Sequence, residues 1–209
     1  MRIWLKKISF LISLFLISVL IFQCRKSDRS VETANPAPAD NALAETVFNH
    51  VFKTIHHVSI EDSIVNGDQD SVVNNPLDNC IDTILYANQT PVFPNNLVVD
   101  YGSANSSCNG GLNITGKIKA KYSNKYGIKN GVVTVSFCEY YLDDLSVSGT
   151  MTITNKGLNT NNKLVYSVIV SDGLITGDTT NITWSCNRSF AWISGDGTIN
   201  TTDDKFEIS

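Results

Sequence analysis

The chain has no glycine-rich phosphate loop, and nowhere does it interleave basic with aromatic side chains, so nucleotide cradling and nucleic-acid binding have no footing in it. The nucleophile-elbow pattern G-x-S-x-G, the mark of one large class of hydrolases, is also missing. Cys80, Cys108, Cys138 and Cys186 follow one another at 28, 30 and 48 residues, spacings that match no zinc site. Asp68-Gln69-Asp70 and Gly195-Asp196-Gly197 fall short of calcium-loop spacing. Charge is sparse, at 17% of residues. Three of the 16 basic residues (Arg2, Lys6, Lys7) precede residue 8, and residues 24–209 hold 13 basic against 20 acidic ones, a net −7. A mildly acidic body argues against nucleic acid and against a basic membrane-surface patch. The longest uncharged apolar run, Ile8–Phe22, is fifteen residues, short of the roughly twenty that span a bilayer.

What the chain does have is a ladder of two-residue alternation between Gly111 and Ile193. In 145–154, Leu145, Val147, Gly149, Met151 and Ile153 fall on one face and Ser146, Ser148, Thr150, Thr152 and Thr154 on the other. Because side chains alternate along a strand, this reads as a strand with one wet face. The segment 112–122 repeats the pattern with Leu112, Ile114, Ile118, Ala120 and Tyr122. Residues 132–141 set Val133, Val135, Phe137 and Tyr141 together. Residues 163–171 group Leu164, Tyr166, Val168 and Val170, and 181–192 group Ile182, Trp184, Cys186, Phe190 and Trp192, with Arg188 interrupting.

Between these runs lie Tyr126-Gly127 with Asn130-Gly131, Asp143-Asp144, Asn155-Lys156-Gly157 leading into 159–162, and Asp172-Gly173, residues that tolerate the positive φ of tight turns. Short loops between strands of about ten residues imply an antiparallel meander. The fold class expected is all-β, a sandwich or half-open barrel, with one amphipathic helix packed on it. Leu43, Val47, Phe48, Val51, Phe52 and Ile55 recur at helical spacing and predict that helix over 42–57, with Asp40 or Asn41 as N-cap. Residues 61–79 read as a loop, followed by short strands near 82–86 and 96–101.

The N-terminus divides into a leader (1–23), a tether (24–40) and the β-rich domain (41–209). Three basic residues followed by an apolar run have the shape of a secretory signal. Cys24, directly after that run, resembles the lipidated cysteine of the bacterial lipoprotein lipobox, although Gln23 stands where a small residue is usual. The alternative is an uncleaved anchor with an incidental cysteine. The closing run Lys205-Phe206-Glu207-Ile208-Ser209 alternates like the opening of a strand, so the chain reads as a fragment of a longer β-domain.

An even number of cysteines beyond Cys24 in an exported chain favours disulfides, and the pairs expected are Cys80–Cys108 and Cys138–Cys186. By strict alternation Cys138 falls on the polar face and Cys186 on the apolar one, so the second pair needs a bulge.

No cofactor, metal or catalytic residue is assigned. His50 and His57 share a helix face, with Glu61 or Asp62 nearby, but histidines there read as solvated. Asp143-Asp144 and Asp203-Asp204 read as turn residues rather than the flanking carboxylates of a glycosidase. Trp184 and Trp192 are candidate ligand-facing aromatics for stacking sugars, although tryptophans on an apolar strand face read as core.

Together, Leu97–Gly102, Cys108–Lys121, Val132–Tyr141, Ser148–Gly157 and Ile182–Trp192 resemble a family of uncharacterised Bacteroidota lipoproteins with a β-rich C-terminal domain. The likeness covers most of residues 45–195 and brings no catalytic residues. It implies lipid anchoring through Cys24 in the cell envelope, with the outer membrane, on its periplasmic or surface face, as the expected location. It also implies O-glycan attachment at sites such as Asp62-Ser63-Ile64, Asp70-Ser71-Val72, Asp82-Thr83-Ile84 and Asp178-Thr179-Thr180. The function expected is a non-enzymatic binding or structural role, with an envelope protein or a glycan as partner. A surface glycan-binding module and an envelope hydrolase are the alternatives.

Overall fold

The structure, a computed structural model, describes residues 37–66, 81–103, 106–108, 111–196 and 203–209. The leader, Cys24, the tether up to residue 36, Cys80, Asp68-Gln69-Asp70 and Asp70-Ser71-Val72 lie outside the described residues. Among the described residues two helices come first, α1 (Pro38–Glu61) and the single turn α2 (Ser63–Asn66). Nine strands follow: β1 (Thr83–Tyr86), β2 (Asn95–Asp100), β3 (Ser106–Ser107), β4 (Asn113–Tyr122), β5 (Val132–Leu142), β6 (Leu145–Leu158), β7 (Leu164–Thr176), β8 (Asn181–Ser194) and β9 (Lys205–Ile208). All pairs are antiparallel, in the order β1-β2-β4-β5-β6-β7-β8-β9, with β3 beside β4. The architecture is mainly β, one open meander with α1 packed on it. Among the described residues there is no second sheet, so the sandwich is set aside.

The helix is longer than its periodicity predicts and starts three residues inside the expected tether. Pro38 opens it, with its fixed φ and missing N–H suited to the first turn. Neither Asp40 nor Asn41 caps it; Ala37 holds the N-cap position without a side-chain bond. At the other end Asp62 leaves the helical conformation and its Oδ1 accepts from the N–H groups of Ile64 (2.7 Å) and Val65 (3.1 Å), which starts α2. Buried positions 44, 47, 48, 51, 52, 55, 56, 58 and 59 cover about half the helix circumference at roughly 100° per residue. A flat sheet covers far less, so this sheet has to curl.

The curl comes from β-bulges, which bend a strand and increase its twist. Gly116 has φ +82°, and a Cβ there would stand 1.8 Å from the carbonyl oxygen of Glu139, itself at φ +47°. Between Thr115 and Lys117 the β4–β5 register slips accordingly. On the next strand pair Gly149 (φ +118°) faces Asp172-Gly173, where a Cβ would lie 2.7 Å from the Asp172 carbonyl. Asp172-Gly173 is therefore a bulge inside β7 and not the turn its composition suggests, and Asn155-Lys156-Gly157 likewise lies inside β6.

The Glu139 bulge also swaps the face of the residues after it. Tyr140 is buried and Tyr141 is 41% exposed, the reverse of the alternation read from the sequence. Elsewhere the alternation holds: Ile114, Ile118, Ala120 and Tyr122 are buried on β4, and Val147, Met151 and Ile153 on β6.

Curling brings both sheet edges to the same helix. The Tyr86 hydroxyl of β1 donates to Asp62 Oδ2, while Phe206 of β9 meets Phe52 edge-on at 5.2 Å. The core fills the trough between them, with Phe48, Phe52, Val51 and Ile55 of α1 fully enclosed. Each such side chain contributes about 2–3 kcal/mol of hydrophobic stabilisation. The convex face stays wet. Ser136, Thr150 and Ser171 line up across β5, β6 and β7 at exposed or half-exposed positions, as the alternation requires.

Candidate functional site

The chemistry-bearing side chains gather along the two seams where α1 meets the sheet. In the C-terminal half, His56, Ser59 and Asp62 recur every three residues along one side of the helix. Each meets a tyrosine hydroxyl: Tyr126 lies 2.9 Å from His56 Nδ1, Tyr122 lies 2.7 Å from Ser59 Oγ, and Tyr86 bonds Asp62. Ser59 also donates back to the Ile55 carbonyl, the usual outlet for a hydroxyl inside a helix. Burial drives the Tyr86, Tyr122 and Tyr126 hydroxyls above their ordinary pKa, so all three stay protonated and available as donors.

His56 is enclosed by rings. Phe52 stacks on it at 5.7 Å, and Trp192, Phe206, Tyr126 and Tyr166 meet it edge-on at 4.7 to 5.6 Å. Its Nε2 faces Asp204 Oδ2 at 3.4 Å, at the limit of hydrogen-bond distance and outside hydrogen-bond geometry. Asp204 Oδ1 accepts from Trp192 Nε1 at 3.0 Å. A carboxylate cannot donate, so we assign the His56 proton to Nε2, which leaves Nδ1 to accept from Tyr126. Burial lowers the pKa of His56, opposed in part by the Asp204 carboxylate, and the imidazole is neutral at pH 7.

The N-terminal half of α1 is different. Asn41 Oδ1 accepts from Trp184 Nε1 at 2.9 Å, and Glu45 pairs with Arg188 at 2.6 Å, both bridging helix to β8. Arg188, which interrupts the apolar pattern of its strand, thus points to the helix side and ends on a carboxylate at the rim. Beneath that pair lies a cavity of about 280 Å³ lined by Phe48, Asn49, Met151, Val168, Val170 and Cys186, among others.

The residues singled out in the sequence distribute as follows. Trp184 and Trp192 are 6% and 7% exposed. Trp184 stacks on Phe48 at 5.1 Å and Trp192 on Phe206 at 6.1 Å, so neither offers a flat face to a solvent-borne sugar. The correction is to core residues, with Trp184 also forming one wall of the cavity. Cys138 and Cys186 are free thiols. They sit on β5 and β8, three strand spacings or roughly 14 Å apart, where a disulfide needs its Cα atoms within about 7 Å. Cys108 is disulfide-bonded; Cys80, its expected partner, lies outside the described residues.

His50 and His57 are not gathered with other ligands. His57 Nδ1 approaches Glu61 Oε1 at 3.6 Å, and among the described residues no three His, Cys, Asp or Glu side chains are grouped to hold a metal ion. Asp143 serves the β5–β6 turn, its carboxylate accepting from the Asn113 N–H at 2.8 Å. The sequence reading took Asp204 for a turn residue and the helix histidines for solvated ones, and did not bring His56 and Asp204 together. One signal was present: His56 stands four residues after Phe52, hence on the buried side of the helix.

Comparison with protein-family models, with curated proteins and with solved structures gives no match. Among the described residues no helix is long and apolar enough to cross a membrane.

Proposed function

We propose that the protein is a non-enzymatic cell-envelope lipoprotein, held in the outer membrane by acyl chains on Cys24, whose β-rich body has a binding or structural role. The observation that carries the non-enzymatic reading is what the buried polar groups are used for. His56 and Ser59 of α1 and Asp62 just after it are buried, and with half-buried Asn41 each meets a side chain of the sheet or of the β4–β5 connection and holds the helix in its trough. A general acid or base needs reach to a substrate, and His56 with Asp204 stands inside a wall of rings.

The anchoring half of the reading rests on the leader: Arg2, Lys6 and Lys7, the apolar run, and Cys24 directly after it. Several acyl chains, at ~0.8 kcal/mol per buried CH₂, make such attachment effectively permanent. The glycan-binding alternative depended on Trp184 and Trp192 as an open platform, and their burial leaves it without one.

Cells producing the full chain and fed an alkyne-bearing palmitate test the anchor. Label on the wild-type protein and none on Cys24→Ala is the expected result; equal labelling of both, or of neither, overturns lipidation at Cys24. Activity against envelope glycans or peptides that His56→Gln abolishes would overturn the non-enzymatic reading.

A further inference from the structure

We infer that the cavity between the first half of α1 and strands β6–β9 is a binding site for a small neutral amphiphile, a chain or ring of about nine heavy atoms bearing one hydroxyl or amide. The inference rests on the binding role proposed above and gives it a site; it is independent of the lipid on Cys24. At about 30 Å³ per heavy atom, the liquid-water share, 280 Å³ holds a ligand of that size.

The walls define the chemistry. Phe48, Met151, Val168, Val170 and Phe190 are apolar and receive a tail. Trp184 supplies a ring whose N–H is already taken by Asn41, so it contributes only its face. Polar groups stand at the rim, where the Glu45 and Arg188 side chains are each more than a third exposed. Glu45 and Arg188 are joined by a single bond from Nη2 to Oε1, leaving acceptor capacity on Glu45 and donor capacity on Arg188 side by side.

A neutral head that both donates and accepts satisfies the two together and leaves the ion pair intact. A carboxylate competes with Glu45 for the guanidinium, and an ammonium competes with Arg188 for the carboxylate. Either ion therefore strands one member of the pair, and the neutral head is selected.

The protein carries its own reporters. Only two methionines occur in the chain, Met1 in the leader and Met151, and Met151 lines the cavity. Of the two free thiols among the described residues, Cys186 lines the cavity and Cys138 does not. The full chain, labelled with ¹³C-methyl methionine and kept in phospholipid nanodiscs so that no detergent competes, is titrated with 1-octanol, octanoate and octylamine. The expected result is a saturable shift of the Met151 methyl with 1-octanol. Alkylation of Cys186 should slow by about tenfold while Cys138 reacts as before, since access governs thiol reactivity.

1-Octanol should bind at least about tenfold more tightly than either ion, a difference of about 1.4 kcal/mol. In Glu45→Gln, which releases Arg188, the order should turn towards octanoate. Val168→Phe, which fills the space, should abolish the Met151 response, and the wild-type titration stands alone if that variant does not fold. No saturable Met151 shift with any of the three probes, or equal protection of Cys138 and Cys186, overturns the site. Preference of the wild type for an ion overturns the assigned head group.

Discussion

The two halves of α1 are held in different ways. From His56 to Asp62 the helix is pinned by tyrosine hydroxyls from β1, β4 and the β4–β5 connection, with aromatic rings closed around His56. From Asn41 to Asn49 it meets β8 through two polar bridges at the rim and the Phe48–Trp184 stack, with a cavity beside them. One helix thus has a solid end, where buried polar groups fix its position, and a hollow end, where apolar walls leave room. Pinning one end removes the need for tight packing at the other, which is what allows a cavity in so small a body.

Four perturbations test that contrast. The largest effect is expected at its centre. Phe52 contacts Tyr166, Phe190, Phe206 and His56, and Phe52→Ala should cost about 4 kcal/mol in urea unfolding. A loss under about 1 kcal/mol would show that the rings do not hold the helix. Next, Asp62→Ala removes both the cap of α2 and the acceptor of the Tyr86 hydroxyl; a loss of about 2–3 kcal/mol is expected, with a lower unfolding midpoint as the readout.

A smaller, paired experiment asks directly which end is full. Adding one methylene by Val58→Ile should destabilise by about 1–2 kcal/mol, whereas Val168→Ile, beside the cavity, should be neutral within about 0.5 kcal/mol. Equal costs would erase the distinction.

The smallest is a slope in pH. Because the folded protein holds the His56 pKa below its ordinary value, the unfolded chain binds more protons as the medium is acidified through about pH 6.5. Stability is therefore complete above that pH and falls as pH drops towards the lowered folded value. His56→Phe should flatten the slope, measured as unfolding midpoints between pH 7.5 and pH 5.

Much of the sheet was legible because alternation is a local property. Val147, Met151 and Ile153 face the core as the pattern requires, and β1 and β2 fall where short strands were expected. The helix was legible in its apolar positions, while its true length was not, since Pro38 starts it without a side-chain cap. Bulges defeated the rest. Glu139 and Asp172 look like ordinary strand and turn residues, and only the partner strand shows that an extra residue is present. Tyr141 was placed inside for that reason, and Asp172-Gly173 was read as a joint.

The seams were less legible still. His56 and Asp204 are 148 residues apart, and no spacing rule links a helix side chain to a carboxylate ahead of the last strand. The Cys138–Cys186 pairing failed on topology: two intervening strands separate thiols whose parity looked like the only obstacle.

The contact between Phe52 and Phe206 has a consequence for how the protein is made. The helix that fills the trough leaves the ribosome before any strand, while β9, which closes over Phe52 and His56, leaves after all the others described. The contact joins the first long element described to the last strand described, and contacts of such long sequence separation form slowly. Closure of β9 over Phe52 and His56 is therefore expected to be among the later steps of folding.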